Sequence, residues 1–137
     1  MPTPTLTSVL LVDDDSTTNY LNRLLLLTSM QVTTQVLVAE NGLVALDMLT
    51  QVCTEADSIN CPQLILLDMN MPVMNGREFL QAYVQFPEAY RQSIVVILTT
   101  SLHEQDHLLA RQLPIADFVS KPLTRAKMSE LLARHFA

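Results

Sequence analysis

Five short aliphatic runs punctuate the chain: VLLV (9–12), VLVA (36–39), LILL (64–67), IVVIL (94–98) and IADFV (115–119). Each is nearly continuous rather than alternating, the pattern of strands buried on both faces. Between them the apolar positions change to helical spacing. Leu21, Leu24 and Leu25 share a face of a first helix, which Ser16, Thr17 or Thr18 can cap. Leu43, Leu46 and Leu49 recur at threefold spacing after Gly42, and Phe79, Leu80, Tyr83 and Val84 mark a third helix ended by Pro87. Leu108, Leu109 and Leu113 mark a shorter fourth; Met128, Leu131, Leu132 and His135 line a fifth. Strand starts recur roughly every 21 to 30 residues, the length of one βα unit. Five such units predict a parallel sheet covered by helices on both sides. A length of 137 residues falls short of an eight-stranded barrel, so an open, doubly wound α/β sheet is expected. Ligands of such sheets bind beyond the carboxyl ends of the strands.

Those ends carry chemistry. The first run leads into Asp13, Asp14 and Asp15; the third ends in Asp68; the fourth leads into Thr99, Thr100 and Ser101; the fifth precedes Lys121 and Pro122. The second ends in AENG, which reads as turn chemistry only. Carboxylates gathered within a few ångströms repel and raise one another's pKa unless a cation offsets them. An all-oxygen site of modest ligand number suits Mg²⁺, which commonly shares its shell with a phosphate. Carboxylates, a hard divalent ion, an ammonium and a hydroxyl form a set suited to phosphoryl transfer, with an aspartate as the nucleophile that becomes an acyl phosphate.

Composition narrows the class further. A formal net charge of −6 argues against a general nucleic-acid or anionic-membrane binder. Five of the eight basic residues nonetheless fall in the last 27 positions: Arg111, Lys121, Arg125, Lys127 and Arg134. No apolar run approaches the ~20 residues of a membrane span. MPTPTLTS lacks a basic segment before VLLV and reads as a frayed tail rather than a signal peptide. The expected organisation is a disordered tail over 1–7 and one domain over 8–137, cytoplasmic, with no fused output domain. Cys53 and Cys61 match no common zinc spacing and are expected to be free thiols.

Five pieces in order, LLVDDD (10–15), AENGLVALDML (39–49), LLLDMNMPVMNG (65–76), VVILTTS (95–101) and DFVSKPLT (117–124), resemble the receiver domains of two-component response regulators, the CheY-like group. Any one piece is weak; the ordered set is specific. The resemblance implies a flavodoxin-like (βα)5 three-layer sandwich with strand order 2-1-3-4-5. It implies that Asp68 is the phosphoacceptor. Asp14 and Asp68 are then side-chain Mg²⁺ ligands, Asp13 reaches the ion through water, and Asn70 supplies a backbone carbonyl. Thr99 matches the switch hydroxyl, Lys121 the phosphate-contacting lysine, Pro122 the proline after it, and Phe118 the switch aromatic. The implied activity is self-catalysed phosphotransfer and autodephosphorylation by a signalling switch, not metabolic catalysis. A sensor histidine kinase or histidine phosphotransfer protein would donate, and a downstream protein would bind the face of the fourth helix, fifth strand and fifth helix. Two departures from the family pattern stand out. Extra residues around CTEADSINC lengthen the stretch before the third strand, and Thr100 stands where a smaller residue is common, crowding the phosphate pocket.

Two rival readings fit less. HEQDH (103–107) matches the H-E-x-x-H zinc pattern, but a third ligand would have to come from His135 or a stray carboxylate. A phosphohydrolase of the haloacid-dehalogenase type also uses a strand-end aspartate. Its general acid is a second aspartate two residues on, where this chain has Asn70.

Overall fold

The computed structural model describes residues 5–53, 61–100 and 111–136. Five strands, β1 (Val9–Val12), β2 (Val36–Ala39), β3 (Leu64–Asp68), β4 (Ile94–Thr99) and β5 (Asp117–Ser120), form one sheet in the order β2-β1-β3-β4-β5. Every pairing is parallel. Helices α1 (Ser16–Leu24), α2 (Gly42–Val52), α3 (Gly76–Tyr83) and a C-terminal helix (Arg125–His135) cover it. Among the described residues no helix is long and apolar enough to cross a membrane. The predicted fourth helix and HEQDH lie largely or wholly outside the described residues, apart from a helical end at Arg111 and Gln112.

Alternation along a strand explains why the central runs are apolar throughout. Leu10, Val12, Ile65, Leu67, Val95 and Ile97 face one way, onto Leu49 of α2 and Phe79, Leu80 and Tyr83 of α3. Val9, Leu11, Leu64, Leu66, Val96 and Leu98 face the other, onto Leu26, Met128, Leu131 and Leu132. Each face needs its own apolar residues, so neither can be polar.

Local capping sets the helix starts. Asp15, not Ser16 or a threonine, is the cap of α1: its side chain accepts from the Thr17 and Thr18 N–H groups. Those bonds, the one from the Thr18 hydroxyl first, hold the Asp15 pKa below its ordinary value. Asn41 caps α2 through the Val44 N–H, and Thr124 caps the C-terminal helix through that of Lys127. Asn75 and Glu78 make a reciprocal capping box at α3.

Three expectations are corrected. The buried face of α1 is Asn19 and Asn22, followed by Leu26, while Leu21 is 57 % and Leu24 41 % exposed. Leu21 and Leu24 of the predicted face therefore point to solvent, while Leu25 packs partly buried against the core as the helix runs into a π-helical turn, Leu25–Ser29. Leu6 and Thr7, expected in the tail, are also bonded to the domain. Leu6 is buried, its N–H donating to the Val32 carbonyl, and the Thr7 N–H donates to the Gln63 side chain. Finally, Cys53 and Cys61 are not free thiols but a disulfide, because the end of α2 and the approach to β3 bring their Cα atoms to 4.5 Å.

Candidate functional site

The parallel register aligns the strand ends. Val12 stands beside Ala39 and Leu67, Asp68 beside Leu98, and Thr99 beside Ser120, so the residues that follow converge on one rim. Asp13 and Asp68 are 5 % and 9 % exposed, whereas Asp14 is open to solvent. Each of the three offers a carboxylate oxygen within 4.8 Å of the others. Burial, and then the negative charge of Asp13, raises the pKa of Asp68; Lys121 and the Asn70 N–H pull against them.

Lys121 closes the cluster. Its Nζ lies 2.7 Å from Asp13 Oδ2 and 3.6 Å from Asp68 Oδ1. Burial depresses its pKa, but the bond to Asp13 and the charges of Asp13 and Asp68 outweigh it, and the net shift is upward. The backbone at Lys121 is tied to the neighbouring strand end. The Lys121 N–H donates to the Thr99 carbonyl at 2.7 Å, and the peptide bond to Pro122 is cis.

The loops around the acids are held from behind. The Asp15 N–H donates to Asp13 Oδ1 at 2.9 Å and the Asn19 side-chain amide to the Asp13 carbonyl at 2.8 Å. Asn19 was not foreseen; an asparagine inside a helix carries no sequence signal that it is turned toward an acidic loop. The Asn70 N–H donates to Asp68 Oδ1 at 3.4 Å. A Cβ on Gly76 would lie 2.7 Å from the Asp68 carbonyl oxygen, so the start of α3 packs directly on the back of that residue. Val73, at φ 67°, is 74 % exposed and is spanned by a Met74 N–H bond to the Pro72 carbonyl.

The remaining expected residues sit as follows. Thr99 ends β4 on the same rim, partly buried. Thr100 is exposed and borders a hollow of about 490 Å³ with Leu21, Leu25, Lys121, Pro122 and Leu123. Phe118 lies beside Ile97 on β5, partly buried against the α2–α3 side of the core. Two of the late basic residues make hydrogen bonds within the domain. Arg125 donates to Ser29 at the end of the π-helical turn, and Lys127 donates to the Ser120 and Pro122 carbonyls.

Residues 9–133 match the response regulator receiver domain. The chain belongs to that family. Response regulator Rcp1 of Synechocystis sp. is 34 % identical over 113 residues, covering 82 % of this chain and 75 % of Rcp1. The structure of the Mn²⁺-bound form of Rcp1 superposes with a TM-score of 0.68 at 30 % identity over 92 % of this receiver and 88 % of that chain. A two-component response regulator from Cytophaga hutchinsonii gives 0.81 at 30 % identity over 95 % and 96 % of the two chains. CpxR, a transcriptional regulatory protein of Escherichia coli, is 37 % identical over 92 % of this chain, which spans only 46 % of CpxR. The five-stranded order and the two-component class expected from the motifs are those of this receiver and its relatives.

Proposed function

We propose that this receiver takes a phosphoryl group onto Asp68 from a sensor histidine kinase or histidine phosphotransfer protein in the cytoplasm, and thereby switches a protein-binding surface. One observation carries the reading: Asp13, Asp14, Asp68 and Lys121 converge at the strand ends of a receiver fold. An Asp68 oxygen attacks the phosphorus of a phosphohistidine. The new O–P bond replaces the P–N bond, and the imidazole leaves with a proton from solvent. Attack of water on the acyl phosphate later returns the carboxylate and releases inorganic phosphate.

The donor set fits a hard divalent ion, since three carboxylates this close repel and all are oxygen ligands. Asp14 and Asp68 would hold Mg²⁺ directly, Asp13 through water, with the Asn70 carbonyl completing the protein's share. Bound there, the ion would offset the charge of the carboxylates and of the incoming phosphoryl oxygens. Lys121 stabilises a second phosphoryl oxygen. Thr99, at the neighbouring strand end, donates to a third and moves toward it. Phe118 turns into the space that Thr99 leaves, changing the surface of β5 and its flanking helices.

The exposed Leu21 and Leu24 lie on the helix that borders the Lys121 hollow, and they suit an apolar helical surface of the donor. Incubation with a small phosphodonor and Mg²⁺ followed by intact-mass and peptide mapping tests the reading. A single phosphoryl adduct, on Asp68 and lost in Asp68→Asn, is expected. An unmodified Asp68 under conditions that label other receivers would leave a receiver that signals without phosphorylation.

A further inference from the structure

The cysteines that the sequence presents as unrelated thiols are joined at the end of the sheet away from the acids. Cys53 caps the last turn of α2, its N–H donating to the Leu49 carbonyl at 2.8 Å. Cys61 opens the approach to β3. The next residues are tied by three bonds to the two neighbouring segments: the Gln63 N–H donates to the Ser8 carbonyl, the Ser93 hydroxyl to the Pro62 carbonyl, and the Ile94 N–H to the Gln63 carbonyl. The cross-link therefore runs from a helix end, where fraying starts, to a point beside residues bonded to both neighbouring strand starts. Cys53 and Cys61 are 0 % and 4 % exposed and belong to the same core cluster as Leu49, Ile65 and Tyr83.

We propose that Cys53 and Cys61 form a reversible redox clasp that sets how firmly α2 is held, while leaving the phosphoacceptor site unchanged. The chemistry is a two-electron exchange. The two thiols lose two hydrogens to form one S–S bond, and a peroxide or a low-molecular-weight disulfide takes them up as two waters or two thiols. A reductant dithiol reverses the step by thiolate attack on one sulfur. Both sulfurs lie in the core, so either direction waits for local opening of the α2 end, and exchange is slow in the native protein.

Reduction leaves the Pro62 and Gln63 ties in place, so β3 keeps its register and Asp68 its position. The span from Leu64 to Asp68 alone separates the two features by roughly 13 Å at the usual rise of a strand. The start of α2 also stays anchored, by the Asn41 cap and by the Gly42 N–H bond to the Met74 carbonyl. Only the last turn of α2 is released. A compartment that keeps thiols reduced makes such a disulfide a responsive element rather than a permanent brace.

The test uses wild-type protein equilibrated with oxidised glutathione, or with dithiothreitol, before removal of the reagent. The oxidised sample should be two hydrogens lighter, resist alkylation by N-ethylmaleimide, and melt about 10 °C higher than the reduced one. The Cys53, Leu49 and Val52 amides should exchange faster after reduction. Cys53→Ala/Cys61→Ala should melt at the same temperature under both treatments. Labelling of Asp68 by a small phosphodonor should be equal in the two wild-type forms. Two alkylatable thiols after oxidation, only glutathione adducts or intermolecular dimers, or equal melting temperatures would each overturn the clasp. A labelling difference between the forms would overturn its independence from the site. Absence of labelling in both forms would count against the phosphoacceptor reading and leave the clasp standing on its melting and exchange data.

Discussion

Lys121 sits closer to Asp13 than to Asp68, at 2.7 Å against 3.6 Å, so its ammonium neutralises the more buried acid first. Removing it leaves Asp13 with a carboxylate oxygen unpaired in a largely buried setting. Lys121→Ala should lower stability by about 2 kcal/mol, less than a fully buried pair because the lysine retains some exposure. The ammonium and a divalent ion compete for the same charge, so Mg²⁺ should bind the variant more tightly than wild type and recover part of the lost stability. Titration of Mg²⁺ against melting temperature checks both. Equal Mg²⁺-induced shifts in the two proteins would count against the competition.

Asp68 carries the opposite sign. Its pKa in the folded protein lies above the ordinary 3.8, first through burial and then through Asp13. Folding therefore favours its protonated form, and ionisation costs stability as pH rises through the folded value. Asp68→Asn should be more stable than wild type at neutral pH. The advantage should fade as pH falls below the unfolded value, where both side chains are neutral. Paired urea melts across that range give the sign directly.

Gly76 is fixed by contact rather than by backbone angle. A methyl group there would stand 2.7 Å from both the Asp68 carbonyl oxygen and the Met69 sulfur. Overpacking of this kind costs about 1–3 kcal/mol, against less than about 1 kcal/mol gained in helix propensity, so Gly76→Ala should destabilise. The strain falls on the backbone of Asp68. Phosphodonor labelling should therefore slow in Gly76→Ala even where the protein remains folded.

Asp117 opens β5, at the other end of that strand from Lys121. Burial pushes its pKa up, but bonds from His135 and Arg134 outweigh it and the net shift is downward. The Arg134 Nη1 contact is 2.7 Å and the His135 Nε2 contact 3.0 Å. A carboxylate with a lowered pKa stabilises above its unfolded value, and that contribution is lost as pH falls through the folded one. Asp117→Asn should cost about 1 kcal/mol at neutral pH, since Arg134 is half exposed, and nothing in strong acid. Denaturation at the two pH values separates this from a simple packing defect.

Leu21 and Leu24 separate the donor from the chemistry. A Leu21→Ser/Leu24→Ser variant should lose about tenfold or more in phosphotransfer from a protein donor, through lost apolar contact. Labelling by a small phosphodonor should be unchanged. Equal loss with both donors would place these leucines in the fold rather than in docking.

The strands and the acidic rim were legible because their physics is local. A strand buried on both faces must be apolar at every position, and Asp13, Asp68, Thr99 and Lys121 mark where three central runs and their neighbour stop. The face of α1 is not legible from apolar spacing: Asn19 and Asn22 turn inward, one of them to hold the acidic loop, while Leu21 and Leu24 face out and Leu25 alone of the three packs on the core. The cap at Asp15 was assigned to its neighbours because Ser16, Thr17 and Thr18 are equally good cap types, and only the backbone angle of Asp15 selects it. The Cys53–Cys61 bond depends on where α2 stops relative to β3, a long-range distance that residue spacing does not encode. Leu6 was hidden by prolines at 2 and 4, which read as a tail, although its partner Thr33 lies in the turn before β2.

A sheet whose strands all run one way has two rims with different tenants. Asp13, Asp68 and Lys121 occupy the rim where the strands end, while Thr7, Ser8, Pro62, Gln63, Ser93 and Ile94 knit together the rim where they begin. Substitutions among the second group bear on how the starting edge of the sheet is held, and those among the first bear on stability and on the charge balance of the acidic cluster together. The two sets share no residue, so the ties of the starting edge can be edited without altering any member of the acidic cluster.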